Sequence, residues 1–416
     1  MLARSFSNTT IIRLSKSLIF SSPFNQKSLC IFSSHFNKIS TNLFYNLNYL
    51  DLKSSKFANS LNSVIYYNRE DIVYSGKTFA QGMVFTNQTM KCTVKSCNFL
   101  SLISNNSGGA ITVFNSMRFG VDLVINLCLF QSCMTTGISG AIYFIGSEAL
   151  ITKSCFYGCS GPVCSSVSCS VRLYHANDLN SSTISKSPCL PSFGTAIDLI
   201  DGYVSVSQTN CSSNHASSDF EVSGLSIVSS SNIVLQNSVI ENCSSSCSFS
   251  IQGKAPIRTV YFNNIISNTV DDDNALISFD NELVISNCVF ANNNFKHLFF
   301  IRNPSSTLPE ILSLIDCQID MKYPGTTFGF IADSKQFTKY SKTHDLEFLN
   351  SNICVGNTES VIGSIFIRLL VIVFVLLCCY GGYVVWNQKL YKRFHFLGIK
   401  SEYERGLEDV AVERNE

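Results

Sequence analysis

The residues best equipped for chemistry in this chain are its 18 cysteines and a few isolated acids. A cysteine acts as a nucleophile or metal ligand through its thiolate, and as a cross-link through a second thiol. Close pairs occur at Cys92/Cys97, Cys128/Cys133, Cys155/Cys159, Cys164/Cys169 and Cys243/Cys247, and Asn287–Cys288 interrupts the apolar stretch "LVISNCVFANNN" of residues 283–294. Structural zinc sites use Cys-x-x-Cys knuckles or nearby histidines. Here three or four residues separate the members of each pair, and the 6 histidines lie elsewhere. The spacing points away from zinc, toward disulfides or toward cysteines packed as small hydrophobes. Two carboxylates at a suitable separation can act as acid and base on a glycosidic bond. The candidates are Asp198 with Asp201, and the run Asp271–Asp272–Asp273. Asp198 stands in an apolar run without an evident arginine partner, and the triple aspartate falls where the chain turns, so a solvated turn or an adventitious calcium site is the plainer reading. His175, His215, His297 and His344 are scattered, without nucleophile–base spacing. The sequence therefore nominates no catalytic residue, no cofactor and no metal-ligand set.

Composition narrows the class. Of 416 residues, 45% are apolar and 14% charged, against about 25% charged in typical soluble domains. With 30 basic and 29 acidic residues, the chain lacks the basic field that nucleic-acid binding needs. Serine, threonine and asparagine must solvate the surface instead. Cysteine usage of this density belongs in an oxidising compartment.

From Val361 the chain reads "VIGSIFIRLLVIVFVLLCCYGGYVVW" to Trp386, long and apolar enough for a membrane-spanning helix, with Arg368 near its start able to snorkel. Lys389, Lys392, Arg393 and Lys400 follow it before any acid. The positive-inside rule then places the C-terminal tail, 387–416, in the cytoplasm and residues before about 360 outside, a type I single-pass layout in the plasma membrane. Six Asn-x-Ser/Thr sequons begin at Asn8, Asn87, Asn105, Asn180, Asn210 and Asn242, all on the expected outer side; N-glycans are expected at Asn87, Asn105, Asn180, Asn210 and Asn242. Residues 1–59 have brief apolar runs and no acid before Asp51, which makes an atypical secretory leader or an organellar transit peptide of the start. In the tail, "YKRF" at Tyr391 has the form of an endocytic sorting signal, and Cys378 and Cys379 are candidates for palmitoylation.

The elements that must position these residues are repetitive. Alignment on Cys97, Cys128, Cys155, Cys211, Ser238, Ile265, Cys288 and Cys317 brings out a unit of about 27 residues. Five and three residues before the aligned position stand apolar pairs such as Leu283 and Ile285, Leu123 and Ile125, Ile233 and Leu235. That is the period-two face of a strand. Two residues after it stand Phe99, Phe130, Tyr157, Ile240, Phe290 and Ile319, shifted by one residue from the first alternation. Both strands face one core only if the chain bends just before the aligned residue, where Asn210, Asn237, Asn264 and Asn287 stand; asparagine tolerates the left-handed conformation. Further short strands ("GGAITVF" at 108–114, "SGAIYFI" at 139–145) complete three strands per unit. This predicts an all-β chain, a parallel β-helix over 60–355 of on the order of eleven coils and roughly 50 Å. The register fails between 158 and 193, which reads as a loop excursion. A β-sandwich, the competing fold, predicts no phase shift at one repeat position.

The GGAI and SGAI strands with turns such as "FANN" (290–293) resemble the repeats of chlamydial polymorphic membrane proteins. The layout of Cys/Asn-rich coils, one C-terminal apolar helix and a short tail resembles trichomonad surface proteins with right-handed β-helices. The resemblance, over about 80–365, implies a right-handed coil and an adhesive surface protein whose partner is a host cell, matrix or glycan, and it implies no catalytic residue. A membrane-anchored carbohydrate-active β-helix, of pectin-lyase or glycosidase type, is the alternative.

Overall fold

In the computed structural model the described residues are most of 90–320, together with 27–40, 49–59, 63–69, 337–346 and shorter stretches elsewhere. Contacts divide the chain into Met1–Cys354 and Val355–Glu416. The first unit is a parallel β-solenoid: among the described residues three sheets hold 12, 13 and 11 strands, each strand pairing with its counterparts one coil before and one coil after. Strand pairing reaches back to Leu2–Ser7 with Lys27–Phe32, so the stack begins well before residue 60.

Each coil turns its first corner on one residue with positive φ, from Ser33 (46°) through Leu127 (55°) to Asn287 (52°) and Asp316 (52°). The bend therefore falls between the two alternations, as their phase shift requires. Asn237 and Asn287 occupy it, but Asn210 and Asn264 lie inside strands, and Gln208 and Phe262 make the bend in their coils. Left-handed backbone costs a non-glycine residue roughly 1 kcal/mol or more. The stack offsets this by taking the corner amide into the ladder: Leu127 N–H donates to Thr152 O and Phe262 N–H to Ser286 O on the next coil. The conformation is imposed by these bonds and not by the residue's own preference.

The residue after the bend points inward and caps the corner. The pairings align Cys97, Cys128, Ser154, Ser182, Thr209, Ser238, Asn263, Cys288 and Cys317. The unit thus varies from 25 residues (Ser238 to Asn263) to 31 (Cys97 to Cys128). Ser154, Thr209 and Asn263, not Cys155, Cys211 and Ile265, hold the position. Its small polar side chain donates back to the carbonyl two residues earlier, as Ser154 Oγ does to Thr152 O (2.8 Å), Asn263 Nδ2 to Tyr261 O (2.9 Å) and Cys288 Sγ to Ser286 O (3.4 Å). Its oxygen also accepts an amide from the coil before, as in Cys128 N–H to Ser154 Oγ (3.2 Å) and Ser238 N–H to Asn263 Oδ1 (2.8 Å). Serine, threonine, asparagine and cysteine are interchangeable here because each offers a short donor. A second left-handed corner follows the next strand, at Ser101, Ser132, Gly158, Lys186, Ser213, Asn242, Ser267 and Asn292, with Asn214, Asn268 and Asn293 among the buried residues behind it.

Of the stretch 158–193, residues 158–188 form a coil in register and not an excursion, with Cys164–Ser170, Ala176–Asn180 and Thr183–Ser185 each pairing in their own sheet; 189–193 lie outside the described residues. The coil's corners are capped by Ser182 and Ser187, so a search keyed to cysteine misses it. Inside the stack, Phe36, Phe57, Phe99, Phe130 and Phe156 lie face to face at 4.7–5.2 Å between centroids, the spacing that adjacent strands dictate. The glycines of GGAI and SGAI are required by close approach. A Cβ on Gly109 would stand 2.0 Å from Gly140 O, and one on Gly140 2.0 Å from Ser165 O.

In Val355–Glu416 only a few residues fall within the description, with helical backbone at Tyr380, 383–386 and 388–389. Among the described residues no helix is long and apolar enough to cross a membrane; most of the expected span, and Tyr391, Cys378 and Cys379, lie outside them.

Three substitutions at two positions separate packing from capping. Phe130→Ala should lower unfolding free energy by about 3–5 kcal/mol, the cost of an aromatic void in a tight stack. Cys288→Ser should stay within about 0.5 kcal/mol, while Cys288→Val, which removes the thiol's bond to Ser286 O but leaves that carbonyl its bond from Phe262 N–H, should cost about 0.5–1.5 kcal/mol. Urea midpoints of the three variants check the order.

Candidate functional site

The cysteines can be placed first. Among the described residues Cys155 and Cys354 form a disulfide with Cα atoms 5.7 Å apart and 199 residues between them in sequence. The other described thiols are nearly all buried. Burial pushes Cys92 and Cys128 up to about 12 and Cys97 up to about 11, and raises Cys288 well above the ordinary thiol value. A reactive cysteine needs the opposite shift and access; hydrogen bonds from Cys211 and Cys288 lower Cys243 and Cys317, but both are buried, so these thiols are caps and core filler. No group of three metal-ligating side chains occurs among the described residues.

Of the acids, Asp271–Asp273 lie outside the described residues. Asp198 and Asp201 are separated by the third sheet's exit. Asp198 points outward from strand Thr195–Ile200, in register between Ser168 and Ser226 of the adjacent coils. It is half-buried, and burial raises its carboxyl to about 6, although a hydrogen bond from Ser226 favours the charged form. An isolated carboxyl with two hydroxyl neighbours can hold and release one proton near neutrality; its register partners supply no second carboxylate for acid–base work. Asp201 sits at a left-handed corner (φ 58°) and pairs with Arg118 at 2.6 Å. Arg118 also donates to Val171 O (3.1 Å), so one guanidinium at the exit of Ile111–Asn115 reaches the exits two and three coils further on. This arginine lies 83 residues from Asp201 in sequence, and no local pattern announces it. The same device recurs at the corresponding exit of a later coil, where buried Arg258 pairs with Asp280 at 2.8 Å and Asp280 accepts Gly253 N–H. Arg258 takes an inward position between Ile233 and the following coil, where the alternation calls for an apolar residue.

The histidines serve separate places. His215 Nδ1 meets Ser244 Oγ at 2.6 Å, His175 accepts Tyr203 N–H through its backbone carbonyl, and His344 Nε2 meets Asn287 O at 2.5 Å. On the outer face of the first sheet Asp122 and Glu148 stand in register, and burial, then the Glu148 charge, raise Asp178.

The corner held by Arg118 and Asp201 carries a group that sequence reasoning did not single out. Leu173, Tyr174 and Tyr203 are 43%, 70% and 43% exposed, and the two tyrosine rings lie 6.0 Å apart. Tyr174 N–H reaches Ser231 Oγ (3.4 Å) and Tyr203 N–H reaches His175 O (2.8 Å). The backbone beneath the rings is fixed while the rings remain in solvent. Exposed aromatics on a rigid base are the composition of contact hot spots.

The raised Asp198 carboxyl makes stability depend on pH. Folding favours its protonated form, so its contribution is full below the ordinary carboxylate value and is lost as pH rises through about 6. Asp198→Asn should therefore raise the thermal midpoint at pH 7.5, by the equivalent of about 1–3 kcal/mol, and leave it nearly unchanged at pH 4. Scanning calorimetry at the two pH values reads the difference.

Comparison of the chain with models of known protein families, with curated proteins and with solved structures finds no match.

Proposed function

We propose that this chain is a single-pass surface protein of the plasma membrane whose right-handed β-helix ectodomain makes contact with cells, matrix or glycans. The observation that carries the contact reading is the exposed Leu173–Tyr174–Tyr203 corner on its Arg118–Asp201 tie. Parallel coils display outward residues in long in-register rows, so a contact surface is built by stacking and not by a dedicated pocket.

The outside location rests on three supports. The Cys155–Cys354 disulfide belongs in an oxidising compartment. Asn105 and Asn242 of the sequons are exposed, whereas Asn180 and Asn210 are half-buried and Asn210 Oδ1 is enclosed without a hydrogen-bond partner; Asn8 and Asn87 are not among the described residues. The apolar run 361–386 followed by Lys389, Lys392 and Arg393 has the signature of an anchor with a cytoplasmic tail. The likeness to trichomonad and chlamydial surface repeats, carried by GGAI, SGAI and FANN, agrees with this reading.

Intact cells expressing the chain with an epitope between 60 and 354 should label at the surface without permeabilisation; signal confined to permeabilised cells would overturn location and contact together. On labelled cells, the double variant Tyr174→Ala/Tyr203→Ala should lower binding to partner cells or matrix about tenfold or more, the size of an aromatic hot spot, with unaltered surface signal. Unchanged binding sinks the assignment of this corner.

A further inference from the structure

The outward row of the second sheet runs Cys155, Thr183, Asn210, Val239, Asn264, Val289, Gln318 along successive coils. These side chains point away from the core, yet Val239 and Val289 are only 8% and 0% exposed. The chain's own C-terminal part meets this row at three places. Strand Phe337–Lys339 pairs in parallel on Cys317–Ile319, and Ser341 N–H and Oγ both reach Gln318 Oε1 at 3.2 Å. His344 then lies against Asn264: its N–H donates to Asn264 Oδ1 (3.0 Å) and its carbonyl accepts from Asn264 Nδ2 (2.9 Å). Its ring stands 5.4 Å from that of Phe262. Cys354 is bonded to Cys155. Gln318, Asn264 and Cys155 belong to one row, met in reverse order by residues 341, 344 and 354, so the chain returns along the stack it has just built.

We propose that residues 337–346 are a strap over this row, tethered by Cys155–Cys354 and released by a dithiol reductant. Between 340 and 346 the strap adds no strand, and the polar contacts at Asn264 and Gln318 contribute only about 1 kcal/mol each. Such contacts close and open rapidly unless the chain end is held, and the disulfide is the hold. Release is a two-electron exchange: one thiolate of the dithiol attacks a sulfur of the bond, and its second thiol resolves the mixed disulfide. Cys155 and Cys354 leave as thiols and the reductant leaves as a disulfide. What is uncovered is the row of amide and apolar side chains at Asn264 and Val289, where an extended segment already lies.

Hydrogen exchange on the full chain tests this. Dithiothreitol, or the double variant Cys155→Ser/Cys354→Ser without reductant, should speed exchange at Ser341 and His344 at least tenfold and open Lys342 to trypsin. Amides of the first and third sheets should exchange as before. His344→Ala in the oxidised protein should raise exchange less than loss of the disulfide does. Unchanged protection at 341–344 after reduction would overturn the tether, and loosening of all three sheets would show the bond to be a general staple and not the hold of a strap.

Discussion

Everything in the solenoid depends on a left-handed corner that must be capped from inside. A parallel coil has to change direction without interrupting the ladder, and it does so by placing one residue at φ near +50°. That conformation is unfavourable for leucine, lysine or phenylalanine, all of which adopt it here. It persists because the corner amide is bonded to the next coil and the following side chain satisfies the carbonyl two residues back. That carbonyl also accepts the corner amide of the coil before, so the cap gives a buried acceptor its second bond. The cap must be short, polar and able to donate, which explains why cysteine, serine, threonine and asparagine alternate down one column.

The same constraint decides what the cysteines do. At a corner the thiol is a weak donor enclosed by apolar neighbours; burial raises Cys128 and Cys288, while the hydrogen bond from Cys288 lowers Cys317. Nucleophilic and metal chemistry both need an accessible thiolate, and the inward capping position encloses the sulfur instead. Cys155 escapes because it lies one residue beyond the column and points outward. A single-residue offset separates a capping position from a cross-linking one, as the two-residue period of a strand requires.

Corners also distribute whatever function the stack has. The first two corners are closed by small side chains. At the exit of the third sheet two coils add ion pairs, Arg118–Asp201 and Arg258–Asp280, beside the serine bonds of Ser147 and Ser229. The large exposed residues Tyr174 and Tyr203 stand at this exit. The acids that looked like a catalytic pair are thereby divided: Asp201 is a tie, and Asp198 is a partly enclosed carboxyl among serines.

The parallel stack, the bend and its place before the inward residue were legible in the chain, because a phase shift between two alternations is a statement about geometry that survives any choice of residues. Residue identity at the bend was less legible. Asn237 and Asn287 stand where their preference suggests, but Gln208 and Phe262 do not, since inter-coil hydrogen bonds override local propensity. Keying the repeat to cysteine displaced the column at Cys155 and Cys211 and hid the coil at 158–188, whose caps are serines. The ties from Arg118 and Arg258, the Cys155–Cys354 bond and the returning strap had no sequence signal, for they join residues 22 to 199 positions apart. Sequence by itself determined the rung, since one rung is made of local alternation and one bend. Tertiary structure decided which rungs lie within reach of one another, since that depends on the summed lengths of every coil between them.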